Sequence, residues 1–160
     1  MFLFLTATLT ACSPRVVDVT DDRSSWGRFQ PEQRYRTKGP TFLFGYNESF
    51  SFKLWFWEWD TKLAIAPPGY NPLDMYPKTI AQYIASPDHW PDVVAILQPA
   101  TEIKVVRFET HPYNIGLISV IAEILNGPHR GTFVDIDHLS KYLQQGRGLE
   151  PNVEHLEFIP

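Results

Sequence analysis

The sequence predicts a mainly β fold, a small antiparallel barrel or related sheet carrying one or two short helices. Three observations lead there. The 14 prolines among 160 residues each remove a backbone donor and fix φ, which keeps helices short. Aromatic residues make up 14% of the chain; with β-branched neighbours they gather in short runs bounded by Gly, Pro and Asn. With 44% hydrophobic and 20% charged residues, the composition is that of a globular domain able to bury a core.

Strand signals begin near Tyr35, and Thr41–Tyr46 is a short aromatic run between Gly39-Pro40 and Asn47. Phe50–Trp59 gives the strongest strand pattern. Period-two alternation puts Phe50, Phe52, Leu54 and Phe56 on one face and Ser51, Lys53, Trp55, Trp57 and Trp59 on the other. A loop through Pro67-Pro68-Gly69 and Asn71-Pro72 precedes a short helix in which Ile80, Tyr83 and Ile84 share a face. Pro87 ends it. After a turn at Asp88–Pro91, Val93–Leu97 reads as a strand or a tight turn, and Thr101–Glu109 as a strand rich in β-branched residues.

Leu117–Leu125 fits two periods. As a helix it would align Leu117, Ile118, Ile121, Ile124 and Leu125; as a strand it aligns Ile118, Val120, Ala122 and Ile124. The strand is preferred, because Asn126–Gly131 looks like a hairpin loop from which Thr132–Ile136 pairs back. Leu139–Leu143 is expected as a helical turn, followed by a loop at Gly146 and Gly148 and a last strand over His155–Ile159. From Pro99 to Leu139, the entering strand, long hairpin and Gly131-Thr-Phe-Val-Asp-Ile136 before a helical turn resemble the end of an SH3-like barrel. That resemblance implies a small closed sheet and no particular function.

The N-terminus is of another kind. Phe2–Leu9 is apolar but far too short to span a hydrocarbon core; it matches the hydrophobic region of an export signal. Leu9-Thr10-Ala11-Cys12 follows it, an aliphatic residue and two small ones before the only cysteine. This segment resembles the lipobox of bacterial lipoproteins. The resemblance implies removal of residues 1–11 as a signal peptide and lipidation of Cys12, whose thiol is the readily alkylated group here. Two or more acyl chains give stable anchoring. Ser13, where an aspartate would retain a lipoprotein at the inner membrane, implies the outer membrane with the domain facing the periplasm. No Lys or Arg precedes Cys12, so either the reading frame opens further upstream or the signal is a weak one. Residues 12–33, rich in charge, Ser and Pro around isolated Trp26 and Phe29, read as a lipid-anchored polar tether. Residues 34–160 form the single β-rich domain.

Net charge is −4, and the arginines of residues 15–38 are interleaved with Asp18, Asp21, Asp22 and Glu32. Phosphate contacts supply most nucleic-acid affinity, so no nucleic-acid partner is expected. Trp55, Trp57 and Trp59 would form a stripe of indole faces on which sugar rings stack; the alternative is a central strand buried on both faces with the tryptophans as core. Glu48, Glu58 and Asp60 lie near enough in sequence to suggest a carboxylate set for glycoside cleavage, although such residues are common at strand ends. His89, His111, His129 and His138 with Asp135 and Asp137 invite a metal site, yet none has the spacing that puts two ligands on one element. Solvated loop residues are the simpler reading. There is no Gly-x-Ser-x-Gly elbow and no phosphate cradle, so neither catalytic residues, a metal nor a cofactor is assigned. Three functions remain open: a non-enzymatic envelope module binding a protein or glycan, an envelope glycan hydrolase, and an accessory subunit of a membrane complex.

Overall fold

A computed structural model describes residues 16–45, 63–70, 77–111, 114–144 and 148–160. Its spine is a hairpin of two long strands, β6 (Glu102–His111) and β7 (Asn114–Ile124); the earlier strands are β1 (Val17–Asp18), β2 (Arg34–Thr37), β3 (Thr41–Gly45), β4 (Leu63–Ala66) and β5 (Val93–Leu97). After the hairpin come β8 (Phe133–Asp135), β9 (Ser140–Tyr142), β10 (Leu149–Pro151) and β11 (Leu156–Ile159). The main sheet runs β11-β2-β6-β7-β8-β4-β3-β5, with β1 added beside β6; β9 and β10 form a separate ribbon. The fold is mainly β. It takes the form of an open sheet, whose described strand order ends at β11 and β5, and a mixed one, because β4 and β8 pair in parallel while the other ladders are antiparallel.

Alternation decides what each strand buries. Ile118, Val120, Ala122 and Ile124 of β7 enter the main core, as the strand period requires. In β6 the period is broken once. Val105 pairs with Ala122 and Arg107 with Ile121, leaving Val106 as a bulge. Before it, Ile103 and Val105 face the core; after it, Phe108 does. The extra residue rotates Arg107 and Glu109 to the opposite face, where a strict alternation would have buried them in the main core. That core also takes Leu43 from β3, Ile65 from β4, Val134 from β8, and Ile136 and Leu139 from the turn that follows. A second, smaller apolar cluster of Phe44, Ala64 and Ala66, with Tyr70 against it, lies on the other face of β3 and β4.

One helix, α1 (Ile80–Ala85), occupies the predicted position. The Thr79 hydroxyl caps it by accepting from the Gln82 amide at 3.0 Å. Tyr83 makes its packing contact, edge-on to Phe42 at 5.9 Å, while Ile84 is exposed. Val93–Leu97 is a strand. The helical turn expected over Leu139–Leu143 is displaced: a 3-10 turn spans Asp137–Leu139, and Ser140–Tyr142 extends to pair with β10. The Ser140 hydroxyl donates to the Ile136 carbonyl at 2.9 Å, which closes the turn early and leaves the chain extended. The predicted strand over Phe50–Trp59 lies outside the described residues, as do the signal segment and Cys12.

The polar stretch expected as a tether is, from Val16 on, part of the folded domain. Val17 pairs with Thr110 of β6, and the Phe108 amide donates to the Thr20 hydroxyl at 3.0 Å. Trp26 stacks on Phe108 at 6.1 Å and donates its indole N–H to the Thr20 carbonyl. Phe29 is fully buried. Two aromatic anchors and a short ladder thus overcome the polar composition of this segment.

A backbone crossing fixes its far end. Gly27 and Gly148 both have positive φ, +62° and +96°, and the Arg28 amide donates to the Leu149 carbonyl at 2.9 Å. A Cβ on Gly27 would fall on the Leu149 carbonyl; one on Gly148 would sit 2.8 Å from the Gly27 nitrogen. No side chain fits between these two strands of backbone. Gly27→Ala is therefore expected to lower the unfolding free energy by about 3 kcal/mol in chemical denaturation. Gly39→Ala, which meets nothing within 4 Å, should stay within about 0.5 kcal/mol of the parent.

Candidate functional site

The bulge in β6 creates a polar row on the second face of the sheet. Arg107 Nε donates to Glu109 Oε1 at 2.6 Å, and Glu109 lies opposite Ser119 of β7. Ser119 Oγ donates to Asp137 Oδ2 at 2.9 Å, and the Val120 amide donates to Asp137 Oδ1 at 2.9 Å. The Asp137 amide in turn donates to Asp135 Oδ1 at 2.7 Å. Glu109 and Asp135 are each 3% exposed, and Asp137 is half-buried.

Carboxylates so enclosed resist ionisation. Burial pushes Asp135 up to about 6, against hydrogen bonds from Asp137 and Ser119 that favour the anion, and the charge of Glu109 adds to the rise. Asp137 is raised well above the usual carboxylate range, first by burial and then by the charge of Asp135. The two titrate as a pair, each biased toward its protonated form.

Three rings surround the pair. The His138 imidazole stacks on Phe44, with centroids 5.6 Å apart, and lies 4.1 Å from the ring of Tyr70. Burial lowers it to about 4, so it is neutral at physiological pH. Tyr70 is raised by burial and then by the charges of Asp135 and Asp137; Tyr142 is raised by burial, by the same two carboxyls and by Tyr70. The cluster therefore presents two carboxyls biased toward the acid form, a neutral imidazole and two phenols. It is suited to holding a proton, and at least three of its four Asp oxygens accept hydrogen bonds from within the chain.

Of the residues singled out in the sequence, Asp135, Asp137 and His138 come together here. The strand ends at Asp135, yet the 3-10 turn brings Asp137 back onto it. His89 is exposed and packs edge-on to Trp90 at 4.8 Å; His129 lies in the β7–β8 turn and His111 ends β6. Among the described residues no His, Cys, Asp and Glu side chains are grouped to hold a metal ion. Trp55, Trp57, Trp59, Glu48, Glu58 and Asp60 lie outside the described residues. Ser119, Glu109, Tyr70 and Tyr142 were not legible as site residues, because register and not spacing assembles them.

Among the grooves lined by described residues are two, the first of them lined by Arg107 of the polar row. One, of about 730 Å³, runs beside β1 between Asp18, Asp21, Glu123 and Phe133, with Arg107 over the Phe133 ring at 5.7 Å. The other, about 480 Å³, is lined by Tyr35, Val153, Leu156 and Phe158 and edged by the Arg28–Glu150 ion pair. No protein-family model, curated protein or solved structure matches the chain.

The site yields a pH prediction with opposing signs. The carboxyls, raised in the folded state, contribute stability that is full below about pH 4 and is lost as pH rises through 6 and above. His138, lowered to about 4, contributes stability that is full above about pH 6.5 and is lost as pH falls toward 4. His138→Phe keeps a ring on Phe44 and Tyr70 and removes that acid-side loss. Its stability relative to the parent should be roughly 2 kcal/mol higher at pH 4.5 than at pH 7.5, as read by thermal unfolding at both pH values.

Proposed function

We propose that this chain is a lipid-anchored cell-envelope protein, held at the outer membrane through Cys12, whose β-rich domain works in the periplasm as a non-enzymatic binding or structural module. The observation that carries the reading is Leu9-Thr10-Ala11-Cys12 after an apolar run too short to span a bilayer. Only four residues separate Cys12 from the first paired strand, so an anchor there would hold the domain within about 20 Å of the lipid. Among the described residues no helix is long and apolar enough to cross a membrane.

The chemistry of the carboxyl pair fits a structural role for this part of the sheet. A glycosidase aligns two carboxyl groups on the scissile bond. Here Asp135 and Asp137 are turned toward Ser119 Oγ, the Val120 amide and each other. The pair braces the fold.

Expression of the parent and Cys12→Ser in a Gram-negative host, with radiolabelled palmitate and membrane fractionation, tests the anchor. The parent should sediment with the outer membrane and carry label; Cys12→Ser should lose the label and appear in the soluble fraction. Membrane attachment of the serine variant equal to that of the parent would sink the proposal.

A further inference from the structure

The sheet has one narrow place. β6 and β7 share eight register pairs, β3 and β4 four, and β7 and β8 three. Among the described residues β4 and β8 meet through a single parallel pair, Ala64 with Asp135. This pair joins the strands β4-β3-β5 to β11-β2-β6-β7-β8 along the order of the sheet. With so little backbone pairing, side chains carry the junction. On one face Ile65, Val134 and Ile136 meet in the main core. On the other, Asp135 and Asp137 lie beside His138, which stacks on Phe44 of β3 and on Tyr70 just beyond β4.

We propose that the β4–β8 junction is a proton-controlled joint, closed while Asp135 and Asp137 hold a proton between them and loosened when both are ionised. Two carboxylates joined through the Asp137 amide and enclosed by Ser119 cannot both carry charge without water entering. Among the described ion pairs none involves Asp135 or Asp137. From β6 the facing charge is Glu109, itself bound to Arg107; β7 offers the Ser119 hydroxyl. The 3-10 turn offers neutral His138, the segment after β4 offers Tyr70, and β9 offers Tyr142. Lys141 of β9 acts on His155, which lies apart from the pair. β4 itself, Leu63–Ala66, has no titratable side chain. Water is therefore the means by which the doubly charged pair is relieved, and the single-pair seam is where water enters at the least loss of backbone hydrogen bonds.

Hydrogen exchange followed by mass spectrometry on the full chain between pH 5 and 9, corrected for the intrinsic pH dependence of exchange, reads the joint directly. Peptides covering 63–66 and 133–137 should lose protection by about tenfold or more across that range, while those covering 103–105 hold theirs. Asp135→Asn, which keeps the Oδ1 acceptor and removes the charge, should flatten the response; Asp137→Asn serves as an independent second variant. His138→Phe should leave it intact, since the imidazole is neutral throughout. Parallel loss at the junction and in β6, protection unchanged to pH 9, or a parental response in a folded Asn variant would each overturn the proposal. If neither Asn variant folds, the wild-type contrast between the junction and β6 decides alone.

Discussion

Around Glu109, Ser119 and Asp135 the strands β6, β7 and β8 are buried on both faces, and this double burial sets the terms for the rest of the molecule. One face is filled by Ile103, Val105, Phe108 and the even-numbered residues of β7 from Ile118 to Ile124. On the other, Glu109, Ser119, Ile121 and Asp135 are equally withdrawn from water. A polar side chain there must find its partner inside the protein. The hydrogen bonds from Ser119 and Val120 to Asp137 and from Asp137 to Asp135 follow from that requirement, and burial biases both carboxyls toward the form with less charge to offset.

The second face changes character across the sheet. Near β2 and β6 it is an exposed field of ion pairs, Arg34 with Glu102 and Lys104 with Glu32 and Glu123. Toward β4 and β3 it becomes apolar, with Phe44, Ala64 and Ala66 under Tyr70. The carboxyl pair stands at the border. Surface ion pairs contribute little each and are screened by salt, whereas the buried pair responds to pH; the two ends of one face thus answer to different solution conditions.

Local periodicity made much of the fold legible. The strands over Thr41–Gly45, β6 and β7, the Asn126–Gly131 loop and the helix at Ile80 all follow from spacing and turn chemistry in their own segments. Two features did not yield to that reasoning. Trp26 and Phe29 stand alone among polar residues, so no period marks them, and only their tertiary partners show that the segment is folded. The parallel contact of β4 with β8 joins segments far apart in the chain and leaves no local sign. The site divides in the same way. Asp135, Asp137 and His138 attract notice as neighbours, but their meaning depends on Ser119 and Glu109, which β-register brings to them. The break in alternation at Val105-Val106-Arg107 is the one local clue that Glu109 belongs to this face.

The chain's late residues are bound to its early ones. β11 lies beside β2 in the sheet, and the glycine crossing threads residue 27 against 148 and 149. Contacts between such distant segments slow folding, since a large loop must close before they form. A chain released from one end, whether from a ribosome or through a membrane pore, cannot complete this sheet until its final strand has emerged. Until then β2 has an open edge, and the order of synthesis leaves that edge exposed to other chains for longer than any other part of the core.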